Sequence, residues 1–164
     1  LTELLNRRAF LDELRRHIGR LDRENAPGTM MFIDLDGFKS VNDRLGHAMG
    51  DSILSHVAER LRRLVRPNDL VARLGGDEFA VWLSGADHLT AAERADLLCK
   101  TMPSELQGLL PEVIADVGLS VGIATRDAGS QESIEDVMRR ADSAMYEVKR
   151  NGRGHWRVSL REGD

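Results

Sequence analysis

The chain has 164 residues, is 41% hydrophobic and 30% charged, and has a formal net charge of −4, which is typical of one soluble globular domain. The net negative charge excludes a protein that binds nucleic acid independently of its sequence. No window approaches the roughly 20 apolar residues that a membrane-spanning helix needs, so we expect no membrane contact by this domain. The single cysteine, Cys99, excludes internal disulfides and cysteine-built zinc sites and indicates a reducing, cytoplasmic compartment.

The first half of the chain shows helical and strand-like patterns in turn. Apolar residues at helical spacing predict an amphipathic helix over residues 6–23. The apolar run at residues 30–33 predicts a strand covered on both faces, with Asp34 at its end. A short polar helix over residues 38–47 and a longer helix over residues 51–65 follow.

The second half begins with two strands, residues 69–74 and 77–83, which we expect the Gly-Gly pair between them to join in a hairpin turn. The remaining segments read as a helix, a loose stretch, a strand, a helix and a strand, at residues 90–102, 103–111, 117–123, 133–149 and 155–160. Residues 161–164 are expected to fray. This order predicts an α+β domain with helices packed on a largely antiparallel sheet.

Acidic residues coincide with the ends of the apolar strands. Asp34, followed by Asp36, ends the first strand, and Asp77 and Glu78 stand at the hairpin tip. Grouped carboxylates are costly to bury unless a cation lies between them. Mg²⁺ is the natural occupant, because it prefers oxygen ligands and binds through carboxylates, water and substrate phosphates. Two such ions can activate an attacking hydroxyl and stabilise a leaving pyrophosphate.

These acids also have a plainer interpretation. Asp and Gly are the usual turn residues, so Asp34, Asp36 or Asp77 taken alone is a turn-capping residue. An EF-hand calcium loop starting at Asp34 fails, because Phe38 occupies the third ligand position and the glycine is out of register. Composition alone leaves both the turn and the metal-site interpretations open.

Residues 75–79 read Gly-Gly-Asp-Glu-Phe, the motif that names the GGDEF family of diguanylate cyclases. Other motifs of that family occur in the same order at Asn6-Arg7-Arg8, Asp34 through Lys39, Asn42-Asp43, Gly46-His47, Gly50-Asp51, Ser120 through Ala124, and Ala141 through Arg153. The chain therefore resembles this family over nearly its whole length. The resemblance implies a five-stranded sheet wrapped by helices, similar to the palm of polymerases and adenylyl cyclases. Because no initiator Met is present, we expect residues 1–164 to be one domain of a longer multidomain signalling protein.

The resemblance assigns a metal site. Asp34 and the backbone carbonyl of Leu35 would bind Mg²⁺, for which Mn²⁺ would substitute, and Asp77 and Glu78 would complete the site from the hairpin. Asp77 would also help to deprotonate the attacking 3′-hydroxyl, so Asp77 and Glu78 are the predicted catalytic residues. Both can reach the metal only because they sit at the turn.

The resemblance also assigns the binding of GTP. Asn42 and Asp51 would hold guanine, and His47 would lie beside the nucleotide. Asp51 would accept from the ring N–H and the exocyclic amine of guanine, and it would discriminate against adenine, which lacks those donors. Lys149 and Arg153 would bind the β- and γ-phosphates. Without the resemblance, Asn42 and Asp51 are interpreted at least as well as helix-capping residues. Lys149 and Arg153 are then positive residues that complement the dipole at a helix end.

Arg66 and Asp69 match the family's inhibitory RxxD motif. The resemblance implies that they bind cyclic di-GMP as product and inhibitor, whereas the plain pattern is that of a solvated surface pair. A further arginine usually joins this site from the next helix. Leu97 falls at that position, with Arg94 close, so we expect weaker feedback than is typical.

The implied activity is that of a diguanylate cyclase, which condenses two GTP into cyclic di-GMP and two pyrophosphates. Two domains would meet face to face, so catalysis needs a homodimer, and an upstream sensory or receiver domain would control it. The alternative is a non-catalytic module that binds GTP or cyclic di-GMP, which the intact Asp34, Asp77 and Glu78 disfavour. A polymerase-like palm acting on a nucleic-acid primer is disfavoured because no basic groove or stacking aromatic run is present.

Overall fold

The structure, a computed structural model, describes residues 2–160, so the predicted fraying of residues 161–164 lies outside the described part. The helices and strands are, in chain order, α1 (Arg7–Glu24), β1 (Gly28–Asp36), α2 (Phe38–Leu45), α3 (His47–Leu64), β2 (Leu70–Gly75), β3 (Glu78–Ser84), α4 (His88–Leu109), β4 (Gly118–Arg126), α5 (Ile134–Arg150) and β5 (Trp156–Ser159). Among residues 2–160, none of the helices combines the length and the apolar character that a bilayer-spanning segment needs.

The two helices on one face of the sheet begin at capping side chains. The side chain of Asn6 accepts from the backbone N–H of Ala9 at 2.8 Å before α1, and that of Ser133 accepts from Asp136 at 3.1 Å before α5. Such caps satisfy backbone donors that the first helical turn leaves free. At its other end α1 stops at Asn25, whose φ of 53° suits asparagine.

The five strands form one sheet in the order β2-β3-β1-β4-β5. β1 pairs antiparallel with β3 and β4, β2 pairs antiparallel with β3, and β5 runs parallel to β4. All nine residues of β1, the central strand, are buried. The register sets Asp34 opposite Glu78 on one side and Ser120 on the other. The predicted α+β fold with a mostly antiparallel five-stranded sheet is confirmed.

The two faces of the sheet pack against different helices. Met31 and Ile33 of β1 belong to the core with α3 and α4, whereas Met30 and Phe32 belong to the core with α1 and α5. Because side chains alternate across a strand, Asp34 continues the second set and faces α5. The end of β1 therefore presents its carboxylate between the hairpin and α5.

Helix α4 is longer than predicted. It continues through Pro103 to Leu109, where we expected a loose stretch. Proline removes a backbone donor from a helix, but Met102 and Leu106 on either side of it are buried in the core. The Pro103 ring also packs close to Gly118, at which a Cβ would meet Pro103 Cγ at 3.3 Å. Packing of α4 in the core therefore outweighs the tendency of Pro103 to end a helix.

Helix α3 begins earlier than predicted, at His47 rather than at residue 51. Asp51 consequently lies inside the helix, one turn past its start, and does not cap it. Asn42 lies inside α2, and its Oδ1 atom has no hydrogen-bond partner within the described residues. The helix-capping interpretation of both residues is therefore wrong.

The β2–β3 hairpin turns one residue later than predicted. Gly75 pairs with Glu78, so the two turn residues are Gly76 and Asp77 rather than the two glycines. A bulge between Arg73 and Gly75 shifts the register. The φ angles of Gly75 and Gly76 are 146° and 51°, values that favour glycine. Asp77 thus lies in the turn, and Glu78 is the first residue of β3.

Candidate active site

Asp34 lies at the centre of the candidate site, near the end of β1, and is 9% exposed. Its Oδ2 atom is 2.5 Å from Nζ of Lys149, whereas Oδ1 is buried and has no hydrogen-bond partner in the described part of the chain. A buried carboxylate oxygen without a partner is costly. The Oδ1 atom of Asp34 can therefore accept a further cation or hydrogen-bond donor.

Lys149 reaches Asp34 because α5 packs very closely on the sheet. Gly122 of β4 makes this approach feasible, since a Cβ there would clash with the carbonyl oxygen of Ala141 and the backbone of Met145. Lys149 follows Met145 by one helical turn. A glycine in the centre of β4 therefore helps to set the position of this cation.

The hairpin acids approach Asp34 from the neighbouring strand. The backbone N–H of Leu35 donates to the carbonyl of Asp77 at 3.2 Å, which ties the turn to β1. The side chain of Leu35 is buried in the core, so only its backbone is available to the site. Burial and then the neighbouring Asp34 raise the pKa of Asp77 from 3.8 to about 6. Burial and Asp34 also raise the pKa of Glu78.

These residues fit a divalent cation. Carboxylates that raise one another's pKa are stabilised in their ionised form by a cation between them. Among residues 2–160 no three acidic, histidine or cysteine side chains are arranged to hold an ion by themselves. Mg²⁺ commonly binds through one or two carboxylates, with water and substrate phosphates at its other positions. The donor set therefore suits a metal that arrives with a phosphorylated substrate.

Asp34, Glu78 and Lys149 line one pocket of about 420 Å³ beside α5. Asp142 also lines it and contributes to the raised pKa of Glu78. No role was predicted for Asp142 from the sequence, although its position two helical turns before Lys149 puts both residues on one helix face. This pocket therefore brings together two of the predicted metal ligands, Asp34 and Glu78, and one predicted phosphate-binding residue, Lys149.

Arg153 does not line this pocket. It lies in the loop between α5 and β5 and lines a second pocket, of about 470 Å³, together with residues of α4 and of the segment 113–118. Its φ is 64°, a left-handed backbone between Gly152 and Gly154. The two predicted phosphate-binding residues thus belong to neighbouring but different surfaces.

The predicted guanine-binding residues lie on α2 and α3, directly after β1. Asn42 packs on Gly50, at which a Cβ would clash with Asn42 Oδ1. His47 and Asp51 are exposed and one turn apart on α3, with Asp51 next to Gly50. The half-buried Asn42 therefore packs against the first turn of α3, the helix that carries the exposed His47 and Asp51.

Arg66 and Asp69 line a pocket of about 300 Å³ on another part of the surface. The Asp69 side chain is 4% exposed and accepts from the backbone N–H groups of Arg66 and Ser84, both at 2.9 Å. The interpretation as a solvated surface pair is therefore wrong. Arg94 lines the same pocket, 3.9 Å from Asp69, whereas Leu97 is outside it and 56% exposed. Arg94, and not Leu97, is therefore the residue of α4 that lines this pocket beside Arg66 and Asp69.

The whole chain is similar to known proteins of one family. Residues 1–155 match the family described as "Diguanylate cyclase, GGDEF domain". The chain is 40% identical over 153 residues to the bifunctional diguanylate cyclase/cyclic di-GMP phosphodiesterase MucR of Pseudomonas aeruginosa, covering 93% of this chain and 22% of that protein. It is 40% identical over 163 residues to diguanylate cyclase TpbB of the same organism, covering 97% and 36%. The chain therefore spans about a fifth to a third of the length of these relatives.

The fold matches solved structures of the same family. The GGDEF domain of DgcB from Caulobacter crescentus, crystallised in complex with c-di-GMP, superposes with a TM-score of 0.82 and 31% identity, covering 98% of this chain and 91% of that chain. The sequence match and the structural match both extend over almost all of the described residues. The chain therefore belongs to the GGDEF domain family of diguanylate cyclases, which are enzymes of the nucleotidyltransferase type.

Proposed function

We propose that this domain is an active diguanylate cyclase that condenses two GTP into cyclic di-GMP and two pyrophosphates. The observation that carries the proposal is the convergence of Asp34, Asp77 and Glu78 beside Lys149, with Oδ1 of Asp34 buried and without a hydrogen-bond partner among residues 2–160. The names of the relatives support the same reaction. A non-catalytic nucleotide-binding module is the second candidate, and it gives no reason for all three acids to be kept.

Metal binding would use Asp34, the backbone carbonyl of Leu35, and the carboxylates of Asp77 and Glu78. Bound there, Mg²⁺ or Mn²⁺ supplies charge neutralisation for the triphosphate and the leaving pyrophosphate. Asp77 is proposed to accept the proton of the 3′-hydroxyl. Burial and the neighbouring Asp34 raise its pKa to about 6 in the metal-free chain, so Asp77 is there more basic than an ordinary aspartate, as suits a general base.

The remaining residues would bind and orient GTP. Asp51 accepts from the ring N–H and the exocyclic amine of guanine, Asn42 adds amide contacts, and His47 flanks the nucleotide. Lys149 and Arg153 hold the β- and γ-phosphates. Lys149 now pairs with Asp34, so we expect it to exchange that carboxylate for a phosphate oxygen when GTP and a divalent cation bind.

Each domain would bind one GTP, so the reaction needs two copies of the chain. The 3′-oxygen held by one copy attacks the α-phosphorus held by the other, the bond to the β-phosphate breaks, and pyrophosphate leaves. The proton passes to Asp77. Repeating the step in the opposite direction closes the ring. The relatives are longer proteins, so a neighbouring sensory or receiver domain is proposed to bring two copies together.

Product feedback is proposed at the pocket of Arg66, Asp69 and Arg94. The two arginines would bind the phosphates of cyclic di-GMP, and Asp69 would accept from its guanine. The presence of Arg94 in this pocket removes the reason to expect weak feedback.

The experiment that tests the proposal measures cyclic di-GMP by chromatography after incubation of the concentrated domain with GTP and Mg²⁺. We expect product from the native chain and at least a hundredfold less from Asp34→Asn and Glu78→Gln, because each removes a ligand charge at the reacting phosphates. Asp127→Asn, which changes an exposed carboxylate at the far end of β4, is the matched control and should leave the rate unchanged. Binding of GTP without turnover by the native chain would favour the non-catalytic module.

A further inference from the structure

Asp36 is a buried acid that the proposed reaction does not use. It ends β1 and is 2% exposed. The hydroxyl of Ser120 donates to its two oxygens at 2.7 and 2.9 Å, and the backbone N–H of Gly154 donates to Oδ2 at 3.0 Å. Nζ of Lys149 lies 3.8 Å from Oδ1. Unlike the free oxygen of Asp34, the oxygens of Asp36 are therefore engaged by the protein itself.

The loop that Asp36 holds has an unusual backbone. Residues 152, 153 and 154 have φ angles of 114°, 64° and 73°. The middle residue is Arg153, for which a left-handed backbone is costly, and such a conformation persists only where the surroundings hold it. The N–H of Arg153 donates to the carbonyl of Val148 at 3.0 Å, which fixes the loop to α5. The bond from Gly154 to Asp36 fixes it to the sheet.

We propose that Asp36 is a positioning residue that aims the loop between α5 and β5 at the triphosphate of GTP. The proposal rests on the proposed function, because it assigns Arg153 and Lys149 to the phosphates. Gly154 follows Arg153 directly, and Lys149 lies within electrostatic reach of the same carboxylate. Since Ser120 belongs to β4 and Asp36 to β1, the loop is anchored to two central strands. Asp36 thereby sets the preference for a triphosphate over a nucleoside.

Two other roles for Asp36 make different predictions. A metal ligand must be reachable by the ion, whereas Asp36 is 2% exposed and its oxygens accept three hydrogen bonds from Ser120 and Gly154. A purely structural residue would stabilise the domain without distinguishing between ligands. A positioning residue changes the affinity for GTP and leaves the affinity for guanosine unchanged, because guanosine lacks the phosphates that the loop would bind.

The test uses Asp36→Asn, which keeps the shape of the side chain but replaces one acceptor oxygen by an amide donor. We expect the Gly154 amide to exchange its hydrogen about tenfold faster or more, with the amides of β1 unchanged. By calorimetry with Mg²⁺, affinity for a non-hydrolysable GTP analogue should fall about tenfold or more, because a misplaced loop loses charge-assisted hydrogen bonds to the phosphates. Affinity for guanosine should stay the same.

Two further variants complete the design. Ser120→Ala removes one donor to Asp36 and should act in the same direction but less strongly, and it carries the test if Asp36→Asn does not fold. Asp127→Asn should match the native chain in every measurement.

An unchanged exchange rate of the Gly154 amide in Asp36→Asn would contradict the proposal that Asp36 anchors the loop. Equal losses of affinity for the GTP analogue and for guanosine would show that Asp36 has only a structural role. Equal affinity of the native chain for the two ligands would also contradict phosphate positioning. If the native chain binds GTP without converting it, and Asp36→Asn loses GTP selectively, the proposed activity fails while the positioning role stands.

Discussion

At the scale of single residues, the candidate site groups carboxylates that are partly buried and repel one another. Burial and the carboxyl of Asp34 raise the pKa of Asp77 to about 6, and Glu78 is shifted in the same direction. Their positions at strand ends made Asp34, Asp77 and Glu78 candidates for one site, and the family resemblance led us to predict that they converge. The engagement of Asp36 and the pairing of Lys149 with Asp34 depend on contacts between residues more than 80 positions apart. Local pattern does not encode such contacts.

The raised pKa of Asp77 predicts a pH dependence of stability. Because the folded chain binds this proton more tightly than the unfolded chain, the free energy of unfolding should fall as pH rises from about 4 through about 6 in the presence of a chelator. Urea denaturation of the native chain and of Asp77→Asn across this range measures the effect. The difference between the two should shift in favour of Asp77→Asn as pH rises. Parallel curves would contradict the assignment.

Arg94 predicts a change in product feedback. Arg94→Ala and Arg66→Ala should each raise the concentration of cyclic di-GMP needed for half inhibition about tenfold to a hundredfold, since hydrogen bonds to charged groups contribute roughly 1.5–3 kcal/mol. Leu97→Ala changes an exposed residue of the same helix outside the pocket and serves as the control. Inhibition that does not change in Arg94→Ala would exclude this arginine from the inhibitory site.

At the scale of elements, the hairpin shows what a sequence motif leaves open. Two glycines predicted a tight turn, but the pattern did not reveal the bulge after Arg73, which moves the turn to Gly76 and Asp77. The guanidinium of Arg73 donates to the carbonyl of Gly76 at 2.7 and 3.1 Å, so a side chain from β2 holds the tip. The sequence prediction also ended α4 too early, at residue 102. Core packing on both sides of Pro103, which a local pattern does not reveal, keeps the helix continuous.

The hairpin geometry predicts the effect of replacing Gly76. With φ at 51°, Gly76→Val should destabilise the domain by about 1–3 kcal/mol and displace Asp77, so that cyclase activity is lost. Gly76→Asn is the matched control, because asparagine tolerates this conformation far better than valine. Urea denaturation and the activity assay measure both. Equal stability of the two variants would contradict the assigned turn.

At the scale of the whole molecule, one central strand organises the site. The order β2-β3-β1-β4-β5 puts the hairpin on one side of β1 and Ser120 on the other, while α5 crosses the same end with Lys149. The fold class could be predicted because apolar strands and helical periodicity dominate the sequence, whereas the convergence of these residues was expected from the family resemblance. The strand order could be expected only from the family resemblance, since no local pattern specifies which strands pair.

The central claim is that the carboxylates at the end of β1 and in the hairpin form one cation site that binds together with GTP. Titration of Mn²⁺ followed by electron paramagnetic resonance, with a non-hydrolysable GTP analogue present, measures this binding directly. The account predicts that Asp34→Asn and Glu78→Gln each weaken Mn²⁺ binding about tenfold or more, whereas Asp127→Asn binds like the native chain. Equal Mn²⁺ affinity in all four proteins would contradict it.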